Sequence, residues 1–286
     1  LLLRRTPKDF DVATGATPEE VLSLFKFSRI VGRRFRIAHV RFGREVIEVT
    51  TFRGHHRSHQ ASSSLVDSSR QSAKGILLRD NVFGPVEEDA FRRDFTINAL
   101  YYDPEASSII DYTSGLQDLR DRRIKVIGDP IARFREDPVR ILRAIRFANK
   151  TNFELDSDIT AAIPKSSLFL TDIPPARMFD EWIKIFLSGS ASENLDNLIY
   201  YSLLDYFFPD LQALSEKEPR WNQLIKDACS NTDLRIFQGK SVTPSFLLAA
   251  ILWPEVITKA KEIAGSRRTS ISAITAATSD IIRKSN

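Results

Sequence analysis

The chain has 286 residues, with 41 Lys+Arg against 37 Asp+Glu, 42% hydrophobic and 27% charged residues. That length suits two domains, and the composition supplies enough apolar side chains for packed cores. No apolar run of about 18 residues exists, which excludes a membrane-spanning helix; the single cysteine, Cys229, excludes an internal disulfide and a cysteine-based zinc cage. The opening residues lack the charged-then-apolar form of a secretory leader, and one cysteine fits a reducing compartment, so cytoplasmic placement is expected. The net charge of +4 is mild, but segment 120–146 carries nine Lys/Arg against four Asp/Glu.

In chain order, Asp9-Phe10-Asp11-Val12 has a short strand pattern. Thr17-Pro18-Glu19-Glu20 then opens a helix with a cap residue, proline in the first turn and early acids. Strand-like runs Phe35–Phe42 and Glu45–Phe52 follow, joined by a turn at Gly43. Segment 53–79, with seven serines between Ser58 and Ser72, is expected to be a flexible loop. Order resumes at Phe95–Tyr102 and at the strand-like Ile109–Tyr112. From about residue 116 the apolar period turns helical. Val139, Ile141, Leu142, Ile145 and Phe147 recur at helical spacing behind Asp137-Pro138, a cap with proline at the first helical position. Similar stripes around 176–189, 192–205 and 244–252 are divided by proline turns at 174–175, 209 and 254, and the Ser/Thr/Ala-rich tail from Ser266 is expected to fray. The sum is an α+β protein: a head with a small mixed sheet, then a helical body.

Three constellations carry chemistry. Asp9 and Asp11, two apart on a strand, project from one face with Cα atoms about 6–7 Å apart. Such a pair can hold two divalent cations about 3.5–4 Å apart, as phosphoryl-type displacement requires; the alternative is two solvated carboxylates at a strand end. Glu48, in the β-branched run Val46-Ile47-Glu48-Val49-Thr50, either faces solvent or completes an oxygen-rich pocket suited to Mg²⁺. In Arg92-Arg93-Asp94-Phe95-Thr96-Ile97-Asn98, the paired arginines can clamp phosphate oxygens or pair with Glu87, Glu88 and Asp89 upstream. Asn98 can cap a turn or bind a sugar hydroxyl.

In Arg135-Glu136-Asp137-Pro138-Val139-Arg140, an i,i+3 Asp–Arg pair is first a helix cap with a local ion pair. An acceptor beside a donor also matches the edge of adenine or cytosine and mispairs with guanine and uracil. Arg143 and Arg146 continue at three-residue steps toward a triphosphate. His55-His56-Arg57-Ser58-His59 hints at zinc, but only His39 lies elsewhere to add to it, so a basic loop touching RNA is the better reading.

Taken in order, these residues resemble the class II nucleotidyltransferases, the family of tRNA CCA-adding enzymes and bacterial poly(A) polymerases. Lys8-Asp9-Phe10-Asp11-Val12 resembles the D-x-D motif, Arg92–Ala99 the R-R-D-F-T-x-N-A ribose and phosphate motif, and Glu136-Asp137-x-x-Arg140 the E-D-x-x-R template for the incoming base. Arg177 to Glu181 resembles the later R-x-x-x-E helix motif. Ile30–Val40, Phe52–His56 and Leu77–Asn81 resemble the poly(A) polymerase branch. The resemblance implies a polymerase-β-like head over 1–115, a helical base-selecting and RNA-binding neck over 116–205, and a helical RNA-binding body over 206–286. It implies Asp9, Asp11 and Glu48 as the catalytic carboxylates, with Asp9 and Asp11 on two Mg²⁺ ions and Asp89 an acidic position near the site. Arg92, Arg93, Asp94, Asn98, Glu136, Asp137, Arg140, Arg143 and Arg146 would bind nucleotide. The implied reaction is template-independent addition of AMP from ATP to RNA 3′ ends; the sequence does not set the oligomeric state, and a monomer is the expectation. CCA addition to tRNA is the nearer alternative, and a non-catalytic RNA-binding module the more distant one. The family's glycine pair and arginine, which precede the leucines opening this chain and cradle the triphosphate, are expected to lie upstream of Leu1, and further basic segments downstream of the last residue.

Overall fold

The computed structural model describes residues 2–4, 10–32, 36–54, 69–71, 77–80, 82–209, 211–265 and 270–284. Asp9, Arg33, Arg34, Phe35, His55, His56, His59 and Asn81 lie outside the described residues. The chain forms two compact units, Leu1–Asp137 and Pro138–Asn286. Residues 116–137 therefore pack with the first unit.

The first unit is built on β1 (Val12–Thr14), α1 (Pro18–Leu24), β2 (Ser28–Val31), β3 (Ile37–Phe42) and β4 (Glu45–Thr51). The strands form one sheet in the order β1-β4-β3-β2, with β1 parallel to β4 and the other pairs antiparallel. Helix α1 starts where the sequence says it should: the Thr17 hydroxyl accepts from the Glu20 backbone N–H while the Glu20 carboxylate accepts from the Thr17 N–H. That reciprocal cap satisfies two donors the helix cannot satisfy itself. The helix packs Val21 against Ala38 and Val40 of β3, with Val49 of β4 joining the cluster.

Because strand side chains alternate, this packing assigns both faces of the sheet. Val12, Val49 and Ala38 are paired across β1, β4 and β3 and share the α1 face. Glu48, its partner His39 and, beyond it, Arg29 therefore share the other, open face.

The sequence predicts a loop over 53–79. The described residues instead include a hairpin, β5 (Ser69–Gln71) against β6 (Leu77–Asp80). A backbone ladder needs no particular side chains, so serine content gave no sign of it. The chain re-enters the unit beside its exit: Gly54 donates its N–H to the Val82 carbonyl (2.9 Å) and Gly84 to that of Phe52 (3.1 Å). A Cβ on Gly84 would sit 2.4 Å from the Gly54 Cα, so this crossing admits only glycine. Then come α2 (Val86–Arg92), a 3-10 turn (Thr96–Asn98), the hairpin β7 (Leu100–Asp103) and β8 (Ser108–Asp111), α3 (Gly115–Arg120), β9 (Arg123–Ile124) and α4 (Pro130–Glu136). The Asp111 carboxylate accepts from the N–H groups of Thr113, Gly115 and Leu116 at 2.9–3.0 Å, tying the end of β8 to the start of α3.

Among its described residues the second unit is helical apart from β10 (Glu154–Leu155), with α5 (Val139–Thr151), α6 (Ser157–Ser166), α7 (Pro175–Phe186), α8 (Ala191–Tyr200), α9 (Leu211–Lys217), α10 (Pro219–Phe237), α11 (Pro244–Ala264) and α12 (Ile271–Lys284). Asparagines stitch three of these helices. Asn149 of α5 donates to Asn194 of α8, which donates to the Ile185 carbonyl of α7, and Asn197 donates back to Asn149, all at 2.8–2.9 Å. Asp233 of α10 accepts from the N–H groups of Ala191 and Ser192, supplying the cap that α8 lacks from its own sequence.

Asp137, in an extended conformation, closes α4, and Pro138, with helical dihedrals, leads into α5. Two sequence expectations need correction here. Pro254 does not end a helix but is buried inside α11, since the apolar contacts of Leu247, Ile251, Val256 and Ala260 continue past it and outweigh one missing N–H. Nor does the tail fray as a whole. Residues 270–284 include α12, whose Ala273 and Ala277 pack on Ala260 of α11, small side chains that let the helices approach closely.

Candidate active site

Asp11 lies one residue before the Val12–Val49 pair, and Glu48 one residue before Val49. In a parallel register the two carboxylates are therefore level on neighbouring strands, and both are exposed on the open face. Parity alone left Glu48 free to face either way; the pairing of β1 with β4 decides it. His39 Nε2 stands 3.4 Å from the Glu48 carboxylate. Exposed, hard oxygen donors on one sheet face suit Mg²⁺, which takes few protein ligands and keeps water and phosphate. Among the described residues no three His, Cys, Asp or Glu side chains gather as a metal cage, and Asp9 lies outside those residues.

Asp89 is buried at 9% exposure, and both its oxygens are occupied. Oδ1 accepts from the Arg53 N–H at 3.0 Å. Oδ2 accepts from Arg93 Nε and Nη2 at 3.3 and 3.2 Å and from the Tyr101 hydroxyl at 2.5 Å. Arg93 Nε also donates to Tyr101 Oη at 3.0 Å, closing a triangle. Of the two readings for Arg93, pairing with an upstream acid is thus observed, and its side chain still keeps 40% of its surface in solvent. Burial and the bond to Asp89 push the Tyr101 phenol well above the ordinary tyrosine range. Burial lowers the Arg53 guanidinium, with Asp89 opposing and Arg93 adding to the fall. Burial also acts to lower Arg93, but Tyr101 and Asp89 outweigh it and the net movement is upward.

The rest of the segment is fixed through its backbone. The Asp94 carboxylate accepts from the Phe95 N–H (2.9 Å) and from Asn98 Nδ2 (3.2 Å), so Asn98 serves the turn. Thr96 N–H donates to Lys125 O, and Ile127 N–H to Asp94 O. Arg92 Nη1 donates to the Gly54 carbonyl at 2.6 Å. Arg133, which the sequence reading passed over, donates through Nη2 to the carbonyls of both Arg92 and Arg93 at 2.7 and 2.6 Å. Glu136 holds Arg133 in place at 2.7 Å. Glu136 is therefore joined to the Arg92–Arg93 segment through one guanidinium. Its three-residue spacing from Arg133 on α4 was the only signal in the sequence.

Asp137 ends the first unit, and Arg140 lies in the first turn of α5 in the second. Arg140, Arg143 and Phe147 follow a half-buried stripe of α5, whereas Arg146 is buried. The guanidinium carbons of Arg143 and Arg146 lie 5.2 and 4.4 Å from the centre of the Phe147 ring, so the ring helps orient both cations. On α7, Glu181 of the R-x-x-x-E motif is buried at 4% exposure and accepts from Lys184 at 2.8 Å.

Residues 1–125 match the family model described as Poly A polymerase head domain, and residues 152–214 that described as Probable RNA and SrmB-binding site of polymerase A. Poly(A) polymerase I of Salmonella typhimurium is 46% identical over 266 residues, which make up 92% of this chain and 57% of that protein. The CCA-adding enzyme of Listeria monocytogenes is 34% identical over 219 residues, 75% of this chain and 52% of that one. The chain thus spans little more than half the length of these relatives. Among solved structures, the CCA-adding enzyme of Bacillus stearothermophilus in complex with CTP has the same fold, with a TM-score of 0.60 at 23% identity, covering 97% of this chain and 84% of that one. With a polymerase head model, an RNA-binding-site model and relatives of both kinds aligned along it, the chain belongs to the nucleotidyltransferase family of poly(A) polymerases and CCA-adding enzymes.

Proposed function

We propose that this chain is the catalytic part of a template-independent polynucleotide adenylyltransferase that adds AMP from ATP to RNA 3′ ends. The observation that carries this reading is the level placement of Asp11 and Glu48 on the open face of the sheet. The 46% identity to proteins named Poly(A) polymerase I supports ATP and RNA as substrates. In the reaction, the primer 3′-oxygen bonds to the α-phosphorus, the bond from that phosphorus to the β-phosphate bridging oxygen breaks, and pyrophosphate leaves. Asp9 and Asp11 would hold two Mg²⁺ ions, with Glu48 the third carboxylate beside them; the ions would supply a more acidic 3′-hydroxyl and charge neutralisation at the triphosphate.

The remaining work falls to side chains of the chain itself. Arg93, aimed by Asp89 and Tyr101, presents a donor edge to ribose or phosphate oxygens, and Arg92, Asp94 and Asn98 keep that segment in shape. Asp137 and Arg140 offer an acceptor and a donor to the incoming base, and Arg143 and Arg146 bind phosphates. Residues 116–205 act as a neck and 206–286 as a body that contact RNA, a role supported by the RNA-binding-site model over 152–214. We take the protein to work as a cytoplasmic monomer; among the described residues no helix is long and apolar enough to cross a membrane.

CCA addition is the second reading, favoured by relatives named CCA-adding enzymes at 33–34% identity. Asp137 and Arg140 do not separate the two, because adenine and cytosine present the same pattern. Primer extension of a generic RNA with each single nucleotide, using the full-length protein and Asp11→Ala, tests the proposal. A long ladder with ATP alone, lost in Asp11→Ala, is expected. Three nucleotides confined to tRNA would mean CCA addition, and equal behaviour of both proteins would mean a non-catalytic RNA-binding module.

A further inference from the structure

The open face of the sheet continues past the carboxylates. One step toward the β3–β4 turn, Arg41 pairs with Val46, and Arg41 N–H donates to the Phe27 carbonyl just before β2. By strand parity Arg41 and Val46 form the next row on the face that carries Asp11 and Glu48, and the Arg41 backbone bond brings Phe27 to the end of that row. Residues two apart on a strand are about 6–7 Å apart, so this row begins one nucleotide's reach from the carboxylates.

Its composition is unusual for solvent. Phe27 is 68% exposed and Val46 50% exposed. Cations surround them: Arg29 and Arg41 are exposed on the same face, Lys26 lies 5.8 Å from the Phe27 ring centre, and Arg44 is exposed in the turn. Against these four stand the carboxylates of Asp11, Glu45 and Glu48. Arg41 Nε is tied to the Gly43 carbonyl, which holds the guanidinium close to the sheet. An exposed aromatic ring among cations is what single-stranded nucleic acid needs, a stacking surface with phosphate partners.

We propose that Phe27, Arg41 and Val46, with Arg29, form a platform that receives the 3′-terminal nucleotides of the RNA, Phe27 stacking on a base and the arginines holding its phosphates. The occupant is single-stranded RNA, because the patch is cationic around its apolar centre and adjoins the proposed site of transfer. The assignment rests on the adenylyltransferase reading and extends it to where the primer lies on the head.

The test uses the full-length protein and an oligoadenylate carrying 4-thiouridine at its 3′ end. Irradiation should crosslink the photoprobe to the 26–46 segment, located by mass spectrometry. Phe27→Ala should weaken binding of the oligonucleotide roughly tenfold, since base–aromatic stacking lost to alanine is worth about that much. It should raise KM for RNA and leave KM for ATP unchanged, and Phe27→Trp should restore binding. Arg41→Gln should reduce the salt dependence of binding as well as its strength. A crosslink elsewhere, or unchanged RNA affinity in Phe27→Ala, overturns the platform while leaving adenylyl transfer by the wild type intact. Loss of ATP-dependent extension in the wild type would overturn the enzyme reading instead. Concentration-dependent self-association abolished by Phe27→Ala, with RNA affinity unmoved, would show that a second copy of the chain is the occupant.

Discussion

Replacing Asp89 by asparagine isolates what this buried carboxylate does. Asp89 accepts four hydrogen bonds, from the Arg53 N–H, two nitrogens of Arg93 and the Tyr101 hydroxyl. An asparagine keeps the shape but offers one acceptor oxygen and one NH₂ group, which must face either the Arg53 N–H or the Arg93 guanidinium, donor against donor. Breaking a fully buried ion pair costs about 3–5 kcal/mol. The Arg93 side chain is 40% exposed, so water replaces part of the loss and about 2–3 kcal/mol is the better figure. Urea unfolding, followed by a probe in the first unit, should show a lower midpoint with the slope unchanged. Tyr101→Phe alone should cost about 1 kcal/mol, and less in the Asp89→Asn background, because the hydroxyl's acceptor is already compromised. Measured at low temperature, where Asp89→Asn stays folded, kcat should fall by about tenfold or less, since Arg93 is loosened while the metal-side carboxylates remain. Unchanged stability with a hundredfold or greater fall in kcat would refute this reasoning and place Asp89 at the reacting atoms.

Asp111 should give a pH signature. Burial raises its carboxyl, but the N–H groups of Leu116, Gly115 and Thr113 outweigh burial and leave it below the ordinary carboxylate range. Its stabilisation is therefore present above about pH 4 and is lost as pH falls through the folded value. The melting-temperature gap between wild type and Asp111→Asn should be widest near neutrality and close in acid; a gap constant with pH would count against it. At Gly115 an added Cβ would sit 2.2 Å from the Thr96 carbonyl oxygen, so Gly115→Ala should cost about 1–3 kcal/mol. Gly15→Ala, with nothing within 4 Å, should stay within about 0.5 kcal/mol in the same denaturation assay. Arg140→Ala should erode the preference for ATP over GTP and UTP by about tenfold in kcat/KM; unchanged ratios with a lowered melting temperature would make Arg140 structural.

What the sequence made legible was local. Thr17-Pro18-Glu19-Glu20 announced α1 because a reciprocal cap is written within four residues, and β3 and β4 followed from β-branched alternation around Gly43. The hairpin of β5 and β6 was hidden because its ladder is made by backbone groups. Pro254 misled because tertiary burial of α11 overrides a local breaker. At the site, Asp11 and Glu48 could be nominated from residue type, but their shared face depended on a parallel pairing across more than thirty residues. Asp89, Arg93 and Tyr101 show the same limit. The acid–arginine pair was one of two open readings, while the Arg53 N–H and the Tyr101 hydroxyl that complete it come from elements with no periodic relation to α2.

Arg133 changes how the basic excess of segment 120–146 should be understood. By count, that segment looked like a phosphate-binding stripe. Yet Arg133 turns both terminal nitrogens inward, to Glu136 and to the carbonyls of Arg92 and Arg93. A guanidinium that donates to two carbonyls fixes the backbone of the residues beside it, which a lysine with its single point charge does less well. The arginines of the family motifs thus divide into those that shape the site and those that can meet a ligand. Only the second group releases counterions when RNA binds, so the salt dependence of binding should track the exposed cations rather than the total. That physical distinction separates Arg133 from Arg41, although in the sequence both are simply basic residues.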